Sequence, residues 1–212
     1  MISSRYVFIL FFNCISMVQL KNKLIIKQEV EIAEIFTGFE TGNKYSILDE
    51  QGVELLYAYE GGSSFSSKNI LGAHRNLDIH VIDKNKKEII LINRPFYFLK
   101  SSATIKLSNG QVLGQIKQTK WLGTKKFDFL TEKGELLFTC ISKIPKIWTF
   151  NIFMNEKKVA QIIKKWSGLG KESFTDADTF NIDFGSITDN SIKYAVLATA
   201  LIIDLRLFEK KS

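Results

Sequence analysis

From Lys21 onward the chain runs in short alternating stretches of apolar and polar residues, most of them paired across turn-forming residues. Leu24, Ile25, Ile26, Val30, Ile32 and Ile35 come first, alternating with charged neighbours well enough for strands and less well for a helix. Residues 45–48 and 53–57 then flank Asp49-Glu50-Gln51-Gly52, which reads as strand, tight turn, strand. The same grammar returns four times: 77–81 with 89–92, 104–107 with 112–116, 126–130 with 136–138, and 150–154 with 159–163. Asn109-Gly110 is the strongest of the turn signals. The later turns recur about every 24 residues, a spacing suited to one hairpin per unit. A further strand signal lies within 173–184.

The period changes at residues 191–208. Counting by threes and fours finds no polar stripe between Tyr194 and Ile203, so this helix is apolar on every face and must be enclosed. Asp189, Asn190 and Ser191 stand ready to accept from its first free N–H groups. Lipid and protein are the two enclosures. A membrane span needs about 20 nearly uninterrupted apolar residues, and this run meets Asp204 and Arg206 first. Burial inside its own protein is therefore the favoured reading. Five hairpins, a strand before them and one after make about a dozen strands. Closing such a sheet removes its edges but leaves an interior too wide for its own side chains. The expected fold is mainly β, a closed barrel of about twelve antiparallel strands around a buried C-terminal helix. Residues 21–212 form that domain, and 1–20 form an apolar extension.

Composition is compatible with this picture. The 212 residues, 45% hydrophobic, suffice for one large domain or two small ones, and 17 Phe and 13 Gly against 2 Pro suit extended structure with glycine-bearing turns. The formal charge of +7 favours anionic surfaces, of lipid or of nucleic acid. Cys14 and Cys140, the only cysteines, are too few for a disulfide framework or a zinc site. Arg5 and the run 6–12 resemble a short signal core, but no small-residue cleavage site follows. Three readings of this N-terminal stretch stay open: a membrane-directing segment, a loosely packed tail, or an extension upstream of a true start at Met17.

Signatures of covalent chemistry are thin. His74 and His80 belong to no metal-binding motif, and Gly168-Leu169-Gly170-Lys171-Glu172-Ser173 departs from a phosphate loop where Glu172 follows the lysine. A lipid translocator or a binding protein is expected rather than an enzyme. Lys120, Trp121, Lys125, Lys126, Lys164, Lys165 and Trp166 interleave cations with aromatic rings, as a surface meeting anionic lipid headgroups does. A solvated barrel face is the competing reading.

Several ordered blocks carry a family resemblance. The run 36–45, the pair Arg94-Pro95, the block from Trp166 through Glu172 and 174–178 to Phe184, and the closing 195–209 resemble phospholipid scramblases. The likeness runs from about Leu20 to Glu209 and implies the tubby-like fold, twelve strands around a central C-terminal helix. It also implies Ca²⁺-stimulated, ATP-independent movement of phospholipids between leaflets, and the expected location is the cytoplasmic face of a membrane, the plasma membrane, or the cytoplasm itself. The family's calcium segment begins here at Asp176 and passes through Asp178, Phe180, Ile182 and Phe184 to Ile187. A loop of the EF-hand type wants oxygen ligands at its first, third and fifth positions and a carboxylate at its twelfth. Only Asp176 and Asp178 meet that need, with Asp183 and Asp189 nearby, so a strand leading to the final helix and a weak, millimolar Ca²⁺ site both remain open. The family's cysteine cluster after Arg-Pro is missing from 96–102, which weakens acyl anchoring and leaves Cys14 as a poor candidate.

Overall fold

The computed structural model describes residues 17–29, 35, 42–61, 76–95, 102–120, 122–146, 148–165 and 179–208. Its strands are β1 (Lys23–Gln28), β2 (Lys44–Asp49), β3 (Glu54–Gly61), β4 (Leu77–Ile82), β5 (Glu88–Arg94), β6 (Ser102–Leu107), β7 (Val112–Lys120), β8 (Lys125–Leu130), β9 (Leu136–Ser142), β10 (Thr149–Met154), β11 (Lys157–Lys165) and β12 (Thr179–Asp183). Each strand pairs antiparallel with its sequence neighbours, and β12 closes on β1 with Lys23 opposite Asp183 and Lys27 opposite Thr179. The result is an up-and-down barrel. One helix, α1 (Asn190–Leu207), follows.

The repeat read from the sequence is a repeat of turn chemistry. Four hairpins share one turn, in which a residue's N–H and C=O both bond across the bend: Asp49 with Val53 and Gly52, Asp83 with Lys87 and Lys86, Leu107 with Gln111 and Gly110, Thr131 with Glu135 and Gly134. The residue at the bend has positive φ, 81° at Gly52 and 82° at Gly134, and Lys86 takes the same place at 62°. Asp49 and Asp83 each accept two further backbone N–H bonds through their side chains. The fifth hairpin turns on Asn155 and Glu156, both at positive φ, as a two-residue turn requires. Each of the five hairpins also carries a register shift close to its turn. Such bulges raise the local twist and curl the sheet toward closure.

Inside the barrel every inward row is apolar over most of its length. Ile47, Leu56, Ala58, Ile79, Val81, Ile90, Ile92, Ile105, Phe127 and Phe129 are all at most 1% exposed, as are Phe138, Phe150, Ile152 and Ile162. Phe129 stacks on Phe138 at 5.0 Å and lies across Gly114, where a Cβ would stand 2.5 Å from its ring. Residues 193–205 of α1 are buried on every face. That is the physical reason for the missing polar stripe.

The helix is fixed at its start. Asp189 is the N-cap, accepting from the N–H groups of Ser191 and Ile192. The segment before β1 wraps this first turn. Leu20 N–H donates to Asn190 Oδ1 at 2.9 Å, Tyr194 OH donates to Val18 C=O at 3.1 Å, and Lys193 Nζ donates to Leu20 C=O and Asn22 Oδ1, both at 3.0 Å. Burial pushes the Tyr194 hydroxyl well up, with the Asp83 charge adding to it, so it stays a neutral donor.

Among the described residues the strands and helix agree with the expectation in kind and nearly in bounds; β12 takes up Thr179–Asp183 of the expected 173–184, and Val30, Ile32 and 173–178 lie outside the described residues. Ala198 is 0% exposed, so Ala198→Asp would bury an unpaired charge. That variant is expected to unfold in thermal and urea melts. A folded, soluble Ala198→Asp protein that had lost only membrane association would contradict the enclosed helix.

Candidate functional site

The two ends of the barrel differ chemically. The tight turns and the start of α1 lie at one end, the turn end; the longer connections and the close of α1 lie at the other, the loop end. At the loop end the inward row turns polar. Each of six strands ends there in a polar inward residue: Tyr45 on β2, Glu60 on β3, Arg94 on β5, Gln118 on β7, Ser142 on β9 and Lys164 on β11. All six are 3% exposed or less. Three of them meet the last turn of α1, Tyr45 and Lys164 at Asp204 and Gln118 at Arg206.

Asp204 is the centre of this arrangement. Lys164 Nζ reaches its Oδ1 at 3.0 Å, and Tyr45 OH donates to its Oδ2 at 2.9 Å. The Lys164 ammonium also lies 4.5 Å from the Phe180 ring centre and 4.9 Å from that of Phe208. Arg206 Nε donates to Gln118 Oε1 at 3.2 Å, and Asn43 Nδ2 donates to Glu60 Oε2 at 2.9 Å. The free carbonyls at a helix C-terminus carry partial negative charge, to which Asp204 adds, and Lys164 and Arg206 supply the matching cations. Phe208 covers the cluster, 5.4 Å from Trp148 and 6.5 Å from Phe150.

The lysines picked from the sequence divide here. Lys120 and Lys165 are exposed, Lys125 and Lys126 are half-buried, and all four stand at the loop end. Lys126 lies 3.2 Å from Asp128. Lys164 is not a surface cation, because strand alternation turns it inward onto Asp204. Trp121 and Trp166 fall outside the described residues.

The calcium segment divides as well. Asp176 and Asp178 lie outside the described residues. Phe180, Ile182 and Phe184 are at most 2% exposed and face α1, where they offer no side-chain oxygen. Asp183 Oδ1 accepts from Gly185 N–H and Asp189 caps the helix, so both nearby carboxylates are already engaged. Among the described residues no three His, Cys, Asp or Glu gather as a metal centre would require. The described part of the segment does not fit Ca²⁺.

Other reactive groups are held quiet. Burial pushes the Cys140 thiol far up, so little thiolate forms near neutral pH. On the outer face of β3–β5, His80 Nδ1 meets Glu88 Oε2 at 2.5 Å and its ring stacks on Tyr59 at 5.0 Å. Tyr57 is pushed up to about 12, by burial first and then by its bond to Glu54 at 2.6 Å.

The polar cluster was missed in the sequence. Asp204 registered there only as the end of an apolar run, although a carboxylate inside an otherwise buried helix was the signal that partners wait across the interior.

A closed antiparallel barrel of twelve strands filled by its own C-terminal helix is the class that these features define. The chain belongs to the scramblase family, whose model, described as Scramblase, matches residues 8–210. It is similar to phospholipid scramblase 1 of Mus musculus, 29% identical over 205 residues that cover 89% of this chain and 62% of the relative. It is also similar to phospholipid scramblase 2 of Homo sapiens, 27% identical, with 88% and 67% covered. A phospholipid scramblase family protein of Schizosaccharomyces pombe is 26% identical, with 81% and 50% covered. The chain spans less than two thirds of the mouse relative, at 62%, and of its rat counterpart, at 60%.

Breaking a buried ion pair from one side costs about 3–5 kcal/mol, because the other charge is left unpaired, whereas replacing both partners by apolar residues is often close to neutral. Asp204→Leu is therefore expected to lose roughly that much stability in urea unfolding. Lys164→Met combined with Asp204→Leu should recover most of the loss. Additive losses in the double variant would contradict the pairing.

Proposed function

We propose that this chain moves phospholipids between the leaflets of a bilayer, in both directions and without ATP. The observation that carries the reading is the family match across residues 8–210, which spans the whole barrel and its helix. Equilibrating leaflets runs down a gradient and needs no fuel. It does need a way for a polar headgroup through an apolar layer about 30 Å thick. Among the described residues no helix is long and apolar enough to cross a membrane. Residues 193–205 of α1 fill the barrel, so the interior is no conduit for headgroups. The route we infer runs along the outside of the protein or between several chains, with lysines at the loop end holding anionic headgroups. The place of action we infer is the cytoplasmic face of a membrane, the plasma membrane in the first instance.

A second reading keeps the basic surface and drops the movement: a barrel that binds anionic lipid headgroups, or more weakly nucleic acid, and translocates nothing. The enclosed interior favours it. We infer at most a weak, millimolar Ca²⁺ site resting on Asp176 and Asp178 beside the strand reading of this segment, and no step depends on it.

Reconstitution into vesicles carrying a fluorescent phospholipid, with an impermeant quencher added outside, separates the two. Translocation exposes the inner-leaflet label, and nearly all fluorescence is then expected to be lost, against about half in protein-free vesicles whose two leaflets are evenly labelled. Binding with no loss beyond that half would establish the second reading. The same assay with Ca²⁺, repeated with Asp176→Asn and Asp178→Asn together, is expected to show a response only at millimolar levels and to lose it in the double variant. Micromolar stimulation would contradict the weak site.

A further inference from the structure

We propose that the corner of the loop end made by the β7–β8 and β9–β10 connections is the surface that docks on an anionic bilayer, with Leu122, Ile144 and Trp148 entering below the headgroups. The inference rests on the membrane reading above and gives that reading an orientation.

Five large apolar side chains are exposed among the described residues: Val53, Leu122, Leu136, Ile144 and Trp148. Scattered singly such residues are ordinary, but a cluster marks an interaction surface. Three of the five share this corner, with Leu122 66%, Ile144 67% and Trp148 38% exposed. The two connections are neighbours because β8 pairs with β9, Lys125 standing opposite Ser142 at their common end. Trp148 is steadied from beneath by Phe208, 5.4 Å away, which presents the indole rather than leaving it loose.

Charge selects the partner. Lys120 and Lys125 flank Leu122, with Lys126 beyond them paired to Asp128, Lys143 and Lys146 flank Ile144, and no carboxylate occurs in 120–126 or 142–148. Lys165 at the end of β11 adds another exposed cation. Cations spread along an arc around apolar tips suit a fluid sheet of anionic headgroups over hydrocarbon, where aromatic and aliphatic groups sink while lysines snorkel to phosphate. A free headgroup would leave the tips unused. From the tip a groove of about 460 Å³ also runs down the outside of β9, lined by Ile141, Thr139, Leu137 and Leu136 against Phe153, with Lys126 and Lys143 on its wall and Asn155 and Glu156 at its far end. Its lining suits acyl chains beside a partly inserted corner.

Flotation of the full chain with vesicles of phosphatidylcholine alone, or mixed with phosphatidylserine, tests this. The wild type should bind the mixed vesicles and bind less as salt rises. Leu122→Ser with Ile144→Ser should weaken binding at least about tenfold with the melting temperature unchanged, since two apolar side chains no longer leave water. Lys143→Glu with Lys146→Glu should also weaken it and flatten the salt dependence. Val53→Ser, exposed at the opposite end, should change nothing, and soluble glycerophosphoserine should not compete. Wild-type binding that survives the double serine change overturns the docking corner alone. A wild type that binds no mixed vesicles overturns the membrane reading with it. A double serine variant that instead loses self-association, with vesicle binding intact, gives this corner to a second copy of the chain and overturns the proposal.

Discussion

A helix that is apolar on every face cannot be satisfied by one side of a sheet. It needs a wall all round, and the other features of this protein supply one. A dozen antiparallel strands closed edge to edge leave no open ladder, and the lumen they enclose takes α1 with residues 193–205 buried. Closure in turn needs curvature, and the same bulge beside each tight turn provides it. The segment at 17–22 then clamps the first turn of α1 through Val18, Leu20 and Asn22. Helix and wall depend on each other: the barrel emptied of α1 would expose its inner rows to water, and α1 outside the barrel would have no partner.

Most of this architecture was legible because it rests on local, repeated signals. Alternation has a period of two, turn residues fall at fixed offsets, and the change to an all-apolar run at 191–208 is abrupt. Five hairpins, a strand on either side and a final helix follow from these without knowledge of contacts. The interior of the loop end was not legible, because it is assembled from six strands and a helix that are far apart in the chain. Lys164 illustrates the limit. Beside Lys165 and Trp166 it reads as one more surface cation, and only the barrel's geometry pairs it with Asp204, 40 residues away. Tyr45 belongs to the same network across 159 residues. In the sequence Arg94 stands out only as half of an Arg-Pro pair, and its complete burial is a property of the fold.

The two ends of the barrel are built differently. The turn end repeats one bend in four hairpins and caps the start of α1, with Asp49, Asp83 and Asp189 spent on backbone N–H groups. The loop end buries Glu60, Arg94, Lys164 and Asp204 within and exposes Leu122, Ile144 and Trp148 without, and Phe208 touches both sets, lying over Lys164 on one side and against Trp148 on the other. Contact at the surface is thereby linked by one aromatic residue to the ion pair that secures the end of the helix.

Enclosure of α1 is measured by amide hydrogen exchange of the full chain, free and bound to anionic vesicles. The amides of Tyr194 to Ile203 are expected to exchange only through global unfolding, as slowly as the slowest strand amides, and vesicle binding is expected to leave them so. Faster exchange in α1 than in the strands of the free protein, or protection of α1 that parts company with that of the barrel once vesicles are added, would contradict it.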